Sequence, residues 1–228
     1  MVTVWGSGSF GEKVAQVASQ VFVVDDDAVA RAYAAGVASA AGYAVSQFDS
    51  AEAFLAAVAP ETRGCVVLDL QMDGMTGLEL QAELQRRQMT LPVIIVSGRA
   101  EVASAVTAMK LQAFDFFEKP VDPHALKAAI CRGIDFDEQQ AHRRNEQSEA
   151  MTRYASLSPR EREVMGLVVQ GLPNKQMAAR LSLSEKTIEV HRGNVMRKMQ
   201  VESVAALVRA SIVCDLKAQP EKITPTDI

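Results

Sequence analysis

Cysteine and histidine are scarce in this chain, and that scarcity removes several classes of chemistry at once. The three cysteines, Cys65, Cys131 and Cys214, are odd in number and far apart, with no pair at metal-binding or redox spacing. Reduced thiols are therefore expected, and with them a cytoplasmic location. The three histidines, His124, His142 and His191, are scattered as well, which argues against a metal site built on imidazole. No apolar run approaches the length of a membrane span, and no basic segment precedes an apolar one at the N-terminus. Neither a membrane partner nor a secretory leader is predicted.

What the chain does carry is unevenly distributed charge. Residues 1–140 hold 10 Lys/Arg against 18 Asp/Glu, whereas residues 141–228 hold 14 against 10, which together give the net charge of −4. An acidic front half and a basic rear half predict two domains with different partners, and the basic half is the candidate for nucleic acid.

The first residues pose a separate question. Val2–Trp5 has strand character, Gly6, Gly8 and Gly11 match G-x-G-x-x-G, and Asp25 follows Gly6 by 19 residues. Alone, that layout fits a dinucleotide-binding oxidoreductase. The helix it needs, Glu12–Gln20, is short for a crossover. Residues 1–19 are therefore read as a flexible N-terminal extension.

From residue 20 onward the pattern is regular. Apolar, β-branched runs at Val21–Val24, Tyr43–Phe48, Cys65–Leu68, Pro92–Val96 and Phe114–Phe117 alternate with helical stretches at Ala28–Ala41, Ala51–Val58, Leu78–Arg87, Val102–Leu111 and Pro123–Ile134. Such alternation predicts an α/β doubly wound five-stranded parallel sheet over residues 20–135. A polar helical linker is expected over 136–155, and an all-α four-helix domain over 156–216. That domain opens on the capping signature Ser158-Pro159-Arg160-Glu161. Residues 217–228 are read as a flexible tail.

Four strand ends carry polar groups: Asp25-Asp26-Asp27, Asp69, Ser97 and Glu118-Lys119-Pro120. In an open parallel sheet these ends face one crevice. Gathered carboxylates repel unless a cation sits among them, and a hard ion with oxygen ligands, Mg²⁺, suits them. A lysine and a hydroxyl opposite can hold an anion. Together they describe phosphoryl transfer to a carboxylate.

The segments Val23-Val24-Asp25-Asp26, Leu68-Asp69, Val96-Ser97-Gly98 and Phe116-Phe117-Glu118-Lys119-Pro120 resemble the receiver domain of bacterial two-component response regulators. The resemblance implies that Asp69 is the phosphoacceptor and that a histidine kinase is the donor. It implies that Asp26, Asp69 and the Gln71 carbonyl ligate Mg²⁺, with Asp25 helping through water. Lys119 would contact the phosphoryl oxygens, Ser97 would turn toward them, and Phe116 would be the switch aromatic. The Lys119–Pro120 bond would be cis. Three positions depart from the pattern: Asp73 replaces the usual proline, Leu111-Gln112 a frequent Ala-Gly, and Val121 a common phenylalanine.

The basic half resembles the LuxR-type helix-turn-helix through Leu157–Val164, Gln170–Lys175 and Ser184–Met196, and the whole chain resembles the NarL/FixJ family, nearer the FixJ branch. Helices are expected at Asn174–Leu181, Ser184–Met199 and Ser203–Val213, the second being the recognition helix for double-stranded DNA. Its Ile188, Val195 and Met199 share one face, and Lys186, Glu189, Val190, Gly193 and Arg197 the opposite one. By the family's docking, Glu189, Val190 and Gly193 meet base edges, while Lys175, Lys186, Thr187, Arg197 and Lys198 meet phosphates. A homodimer when phosphorylated, RNA polymerase as partner if the protein activates, and no enzyme activity of its own complete the expectation. The rival is a constitutive DNA-binding regulator whose receiver serves only for dimerisation.

Overall fold

The computed structural model describes residues 20–98 and 102–214. The N-terminal glycine motif and the C-terminal tail lie outside the described residues.

Five strands, β1 (Gln20–Val24), β2 (Ala44–Phe48), β3 (Cys65–Leu68), β4 (Val93–Ser97) and β5 (Asp115–Glu118), form one sheet in the order β2-β1-β3-β4-β5. Every neighbouring pair is parallel. Strand β1 shows why these residues choose a sheet buried on both faces. Val21 and Val23 point into one apolar layer with Val67, Ile94, Leu126 and Ile130. Phe22 and Val24 point into the other with Phe54, Leu68, Leu80 and Ile95. The twofold alternation therefore feeds two cores rather than one. Helices α1 (Ala28–Ala40), α2 (Ala51–Ala57), α3 (Gly77–Arg86), α4 (Val102–Lys110) and α5 (Pro123–Ala155) connect and cover the strands.

The helix starts are chemically specified. The Asp27 side chain accepts from Val29 N–H to cap α1. Thr76 and Glu79 form a reciprocal capping box at the start of α3.

Helix α5 runs on through the segment expected as a helical linker, but that segment is not wholly solvated: Asp137 within it is only 3% exposed. The reason is a partner 74 positions earlier: Arg63 Nε lies 2.8 Å from Asp137 Oδ2. Gly64 N–H donates to the same oxygen at 2.9 Å, and the Arg63 guanidinium also reaches the Asp137 carbonyl.

The chain divides into two compact units after Gln139. The second unit contains α6 (Pro159–Val169), α7 (Asn174–Leu181), α8 (Glu185–Met199) and α9 (Val204–Val213). Its core gathers Leu157, Val164, Met165, Met177, Ile188, Val195, Met199 and Leu207. The Ser158–Glu161 capping box is present at the start of α6.

Candidate functional site

The strand order reverses direction between β1 and β3, and the two acidic strand ends flank that point. Asp25 and Asp69 are buried there at 6% and 5% exposure. Both are fastened by local backbone: Asp25 Oδ1 accepts Asp27 N–H at 3.0 Å, and Asp69 Oδ2 accepts Gln71 N–H at 2.8 Å. Carboxylate oxygens of Asp25, Asp26 and Asp69 all lie within 4.8 Å of one another. Such a set of hard, anionic oxygens fits a divalent cation with oxygen ligands.

Lys119 enters from the end of β5, just before a cis Lys119–Pro120 bond. Its Nζ lies 2.7 Å from Asp25 Oδ2 and 2.9 Å from Asp69 Oδ1. Burial raises the Asp69 carboxyl above its ordinary 3.8, against the opposing pull of Lys119. Burial also works against the Lys119 ammonium, but its bonds to Asp25 and Asp69 outweigh this and hold it above the ordinary 10.5. The arrangement keeps a nucleophilic carboxylate beside a cation able to meet an incoming anion. Ser97 ends β4 fully buried, and Phe116 sits half-buried on β5 opposite Ile95. The structure thus brings Asp25, Asp26, Asp69 and Lys119 together, and places Ser97 and Phe116 on the adjoining strands.

Two contributors escaped the sequence. Gly77, the first residue of α3, lies directly behind Asp69: a Cβ there would come within 2.2 Å of the Asp69 carbonyl oxygen. Its glycine identity was the available signal. Arg31 on α1 donates to the Asp25 carbonyl at 2.6 Å, a contact that no local pattern announces.

In the second unit, α8 buries Ile188, Val195 and Met199 and exposes Lys186, Glu189, Val190, Gly193 and Arg197, as the helical wheel predicts. Lys175 is exposed at the start of α7, and Thr187 is engaged with the N-capping Ser184. Lys198 differs from the exposed cations: its Nζ lies 2.6 Å from Glu161 Oε2. Arg192 of α8 donates to Asn174 at the start of α7, fixing the angle between the two helices of the motif.

Comparison with known proteins agrees with this geometry. Residues 21–131 match the response regulator receiver domain family, and residues 155–211 match the luxR family of bacterial regulatory proteins. The fold and site define a two-component receiver joined to a DNA-binding module. The chain belongs to the FixJ-like transcriptional response regulators, which combine a receiver with a LuxR-type DNA-binding domain. It is 43% identical to the transcriptional regulatory protein FixJ of Azorhizobium caulinodans, covering 90% of this chain and 97% of that one. It is 36% identical to nodulation protein W of Bradyrhizobium diazoefficiens, covering 92% and 93%. The solved response regulator StyR superposes with a TM-score of 0.78 at 37% identity, covering 86% of this chain and 98% of that one. Neither the oxidoreductase reading nor the constitutive one finds support among these relatives. No described helix is long and apolar enough to cross a membrane.

Proposed function

We propose that Asp69 accepts a phosphoryl group from a histidine kinase and that this modification governs DNA binding by the second unit. A carboxylate oxygen of Asp69 forms the new P–O bond as the P–N bond of the donor phosphohistidine breaks. Asp25, Asp26, Asp69 and the Gln71 carbonyl are the groups that would hold Mg²⁺. The ion, when bound, supplies positive charge to the transferring phosphoryl oxygens. Lys119 leaves its carboxylate partners for those same oxygens, and Ser97 turns toward them from the end of β4. Phe116 then moves into the space beside Ser97, reshaping the adjoining face for self-association into a homodimer.

A dimer sets two recognition helices in successive major grooves, about 10 base pairs apart. Tethering makes the second contact intramolecular and raises affinity without a new protein–DNA contact. Glu189, Val190 and Gly193 read base edges, and Lys175, Lys186, Thr187 and Arg197 grip phosphates. If the protein activates transcription, RNA polymerase is the further partner. The observation that carries this reading is the Lys119 ammonium shared between Asp25 and Asp69.

The test is mass spectrometry after incubation with acetyl phosphate and Mg²⁺. One added phosphoryl group on the wild type and none on Asp69→Ala is the expected result. Equal labelling of the two, or labelling undiminished without Mg²⁺, would overturn the assignment.

A further inference from the structure

The loop between β3 and α3 carries a donor that the family's usual proline does not have. Asp73 N–H donates to Asp26 Oδ2 at 3.0 Å, whereas proline has no amide hydrogen to give. Two residues on, Met75 N–H donates to Glu52 Oε1 of α2 at 3.1 Å. Between them Gly74 adopts φ +80°, and a Cβ there would come within 3.0 Å of the same Glu52 oxygen. Carboxylates from two different elements therefore pin the turn, and its geometry aims one amide at Asp26.

Asp26 has need of such a partner. Asp25 and Asp69 are buried and braced, but Asp26 is exposed at the rim of the cluster. An exposed aspartate samples several rotamers, and a charge-assisted hydrogen bond selects among them. The bond takes one lone pair of Oδ2 and leaves the rest of the carboxylate to meet a cation.

We propose that the Asp73 main-chain amide is a positioning group that pre-aims Asp26 at the divalent cation. This receiver then takes Mg²⁺ more tightly than it would with proline at position 73. The inference rests on the reading of Asp25, Asp26 and Asp69 as the cation site. The Asp73 side chain is exposed, and an exposed charge is screened by salt, so the amide rather than the carboxylate carries the effect.

Titration calorimetry with Mg²⁺ on the full chain separates the two. Asp73→Ala keeps the N–H and removes the charge, so its affinity should stay within about twofold of wild type. Asp73→Pro removes the N–H and should loosen Mg²⁺ by roughly five- to tenfold, the loss of one charge-assisted hydrogen bond. Equal loosening in both variants, or none in Asp73→Pro, overturns the proposal. Because proline can also bend the turn, amide hydrogen exchange in metal-free protein supplies a second reading. The residue 73 amide should exchange slowly in wild type and rapidly in Asp26→Ala, and equal rates would sink the idea. A wild type that takes up no Mg²⁺ would strike down the cation site itself, whereas a wild type that binds no better than Asp73→Pro refutes only the amide's role.

Discussion

Lys198 reaches back 37 positions to Glu161, and this pair ties the last turn of α8 to the capping box that opens α6. The same Glu161 oxygen accepts Ser158 N–H at 2.8 Å, and Lys198 also donates to the Ser156 carbonyl at 3.3 Å. A cation so committed holds α8 in place, and its expected role is to brace that helix rather than to grip DNA phosphates. Lys198→Ala should therefore lower stability by about 1–3 kcal/mol, because the buried Glu161 loses its cationic partner and keeps only the Ser158 N–H. Its DNA affinity should keep the wild-type dependence on salt. Arg197→Ala should melt like wild type and reduce the slope of log K against log salt by about 1. A reduced slope for Lys198→Ala at unchanged stability would return Lys198 to the phosphate set.

The same pair sets an acid limit for the second unit. The Lys198 ammonium, followed by the Ser158 N–H, holds the Glu161 carboxyl down at about 2, from an ordinary 4.5. A depressed carboxyl contributes stability that is present above its unfolded pKa and lost as pH falls through the folded one. Wild-type stability should thus decline between about pH 4.5 and 2 in part through Glu161. In Glu161→Gln that part of the decline should vanish, as followed by chemical unfolding across the range. Parallel stability curves for the two proteins would rule the pair out as the acid-sensitive element.

At Asp69 the sign is opposite. Burial raises the Asp69 carboxyl, so its contribution to stability is present below the unfolded pKa and lost as pH rises through the folded one. In metal-free protein, ionised Asp69 is therefore expected to cost stability at neutral pH. Asp69→Asn should melt at a higher temperature than wild type at pH 7 while refusing the phosphoryl group, and the gap should narrow on acidification. Calorimetric scans at several pH values check this; a lower melting temperature for Asp69→Asn at pH 7 would show that the Lys119 pair outweighs desolvation.

Gln112 offers a gain at the end of α4. It adopts φ +62° while Ala113 N–H closes back on the Ala108 carbonyl, the position where glycine ordinarily ends a helix. Its side chain is exposed, so little packing is lost on truncation. Gln112→Gly should stabilise the receiver by about 0.5–1 kcal/mol in denaturant titrations, the relief of left-handed strain less the added freedom of the unfolded chain. Destabilisation would mean that the glutamine side chain earns its place.

The strands were legible because each signal is local. The β-branched runs from Val21 to Val24 and from Cys65 to Leu68 need no information from elsewhere to read as buried strands, and their acidic ends mark the crevice. Ile188, Val195 and Met199 fell on the buried face because helical periodicity fixes that face. What stayed hidden depends on separation in sequence. Arg63 and Asp137 are 74 positions apart, and Tyr33 donates to the Val121 carbonyl across 88. Nothing in a short window links either pair. The Lys198 contact was hidden for the same reason: six Lys/Arg lie from Lys175 to Met199, and only the fold shows which of them faces Glu161.

The buried Asp137 also has a consequence for where this protein can be cut. The matched receiver ends at residue 131, so a fragment trimmed there would remove the acceptor that serves Arg63 and the Gly64 N–H together. A guanidinium and a buried amide left without a carboxylate weaken the entry to β3 just before Cys65, the strand that delivers Asp69 to the crevice. A receiver fragment that keeps this support must therefore run at least to Asp137, six residues beyond the family match along α5.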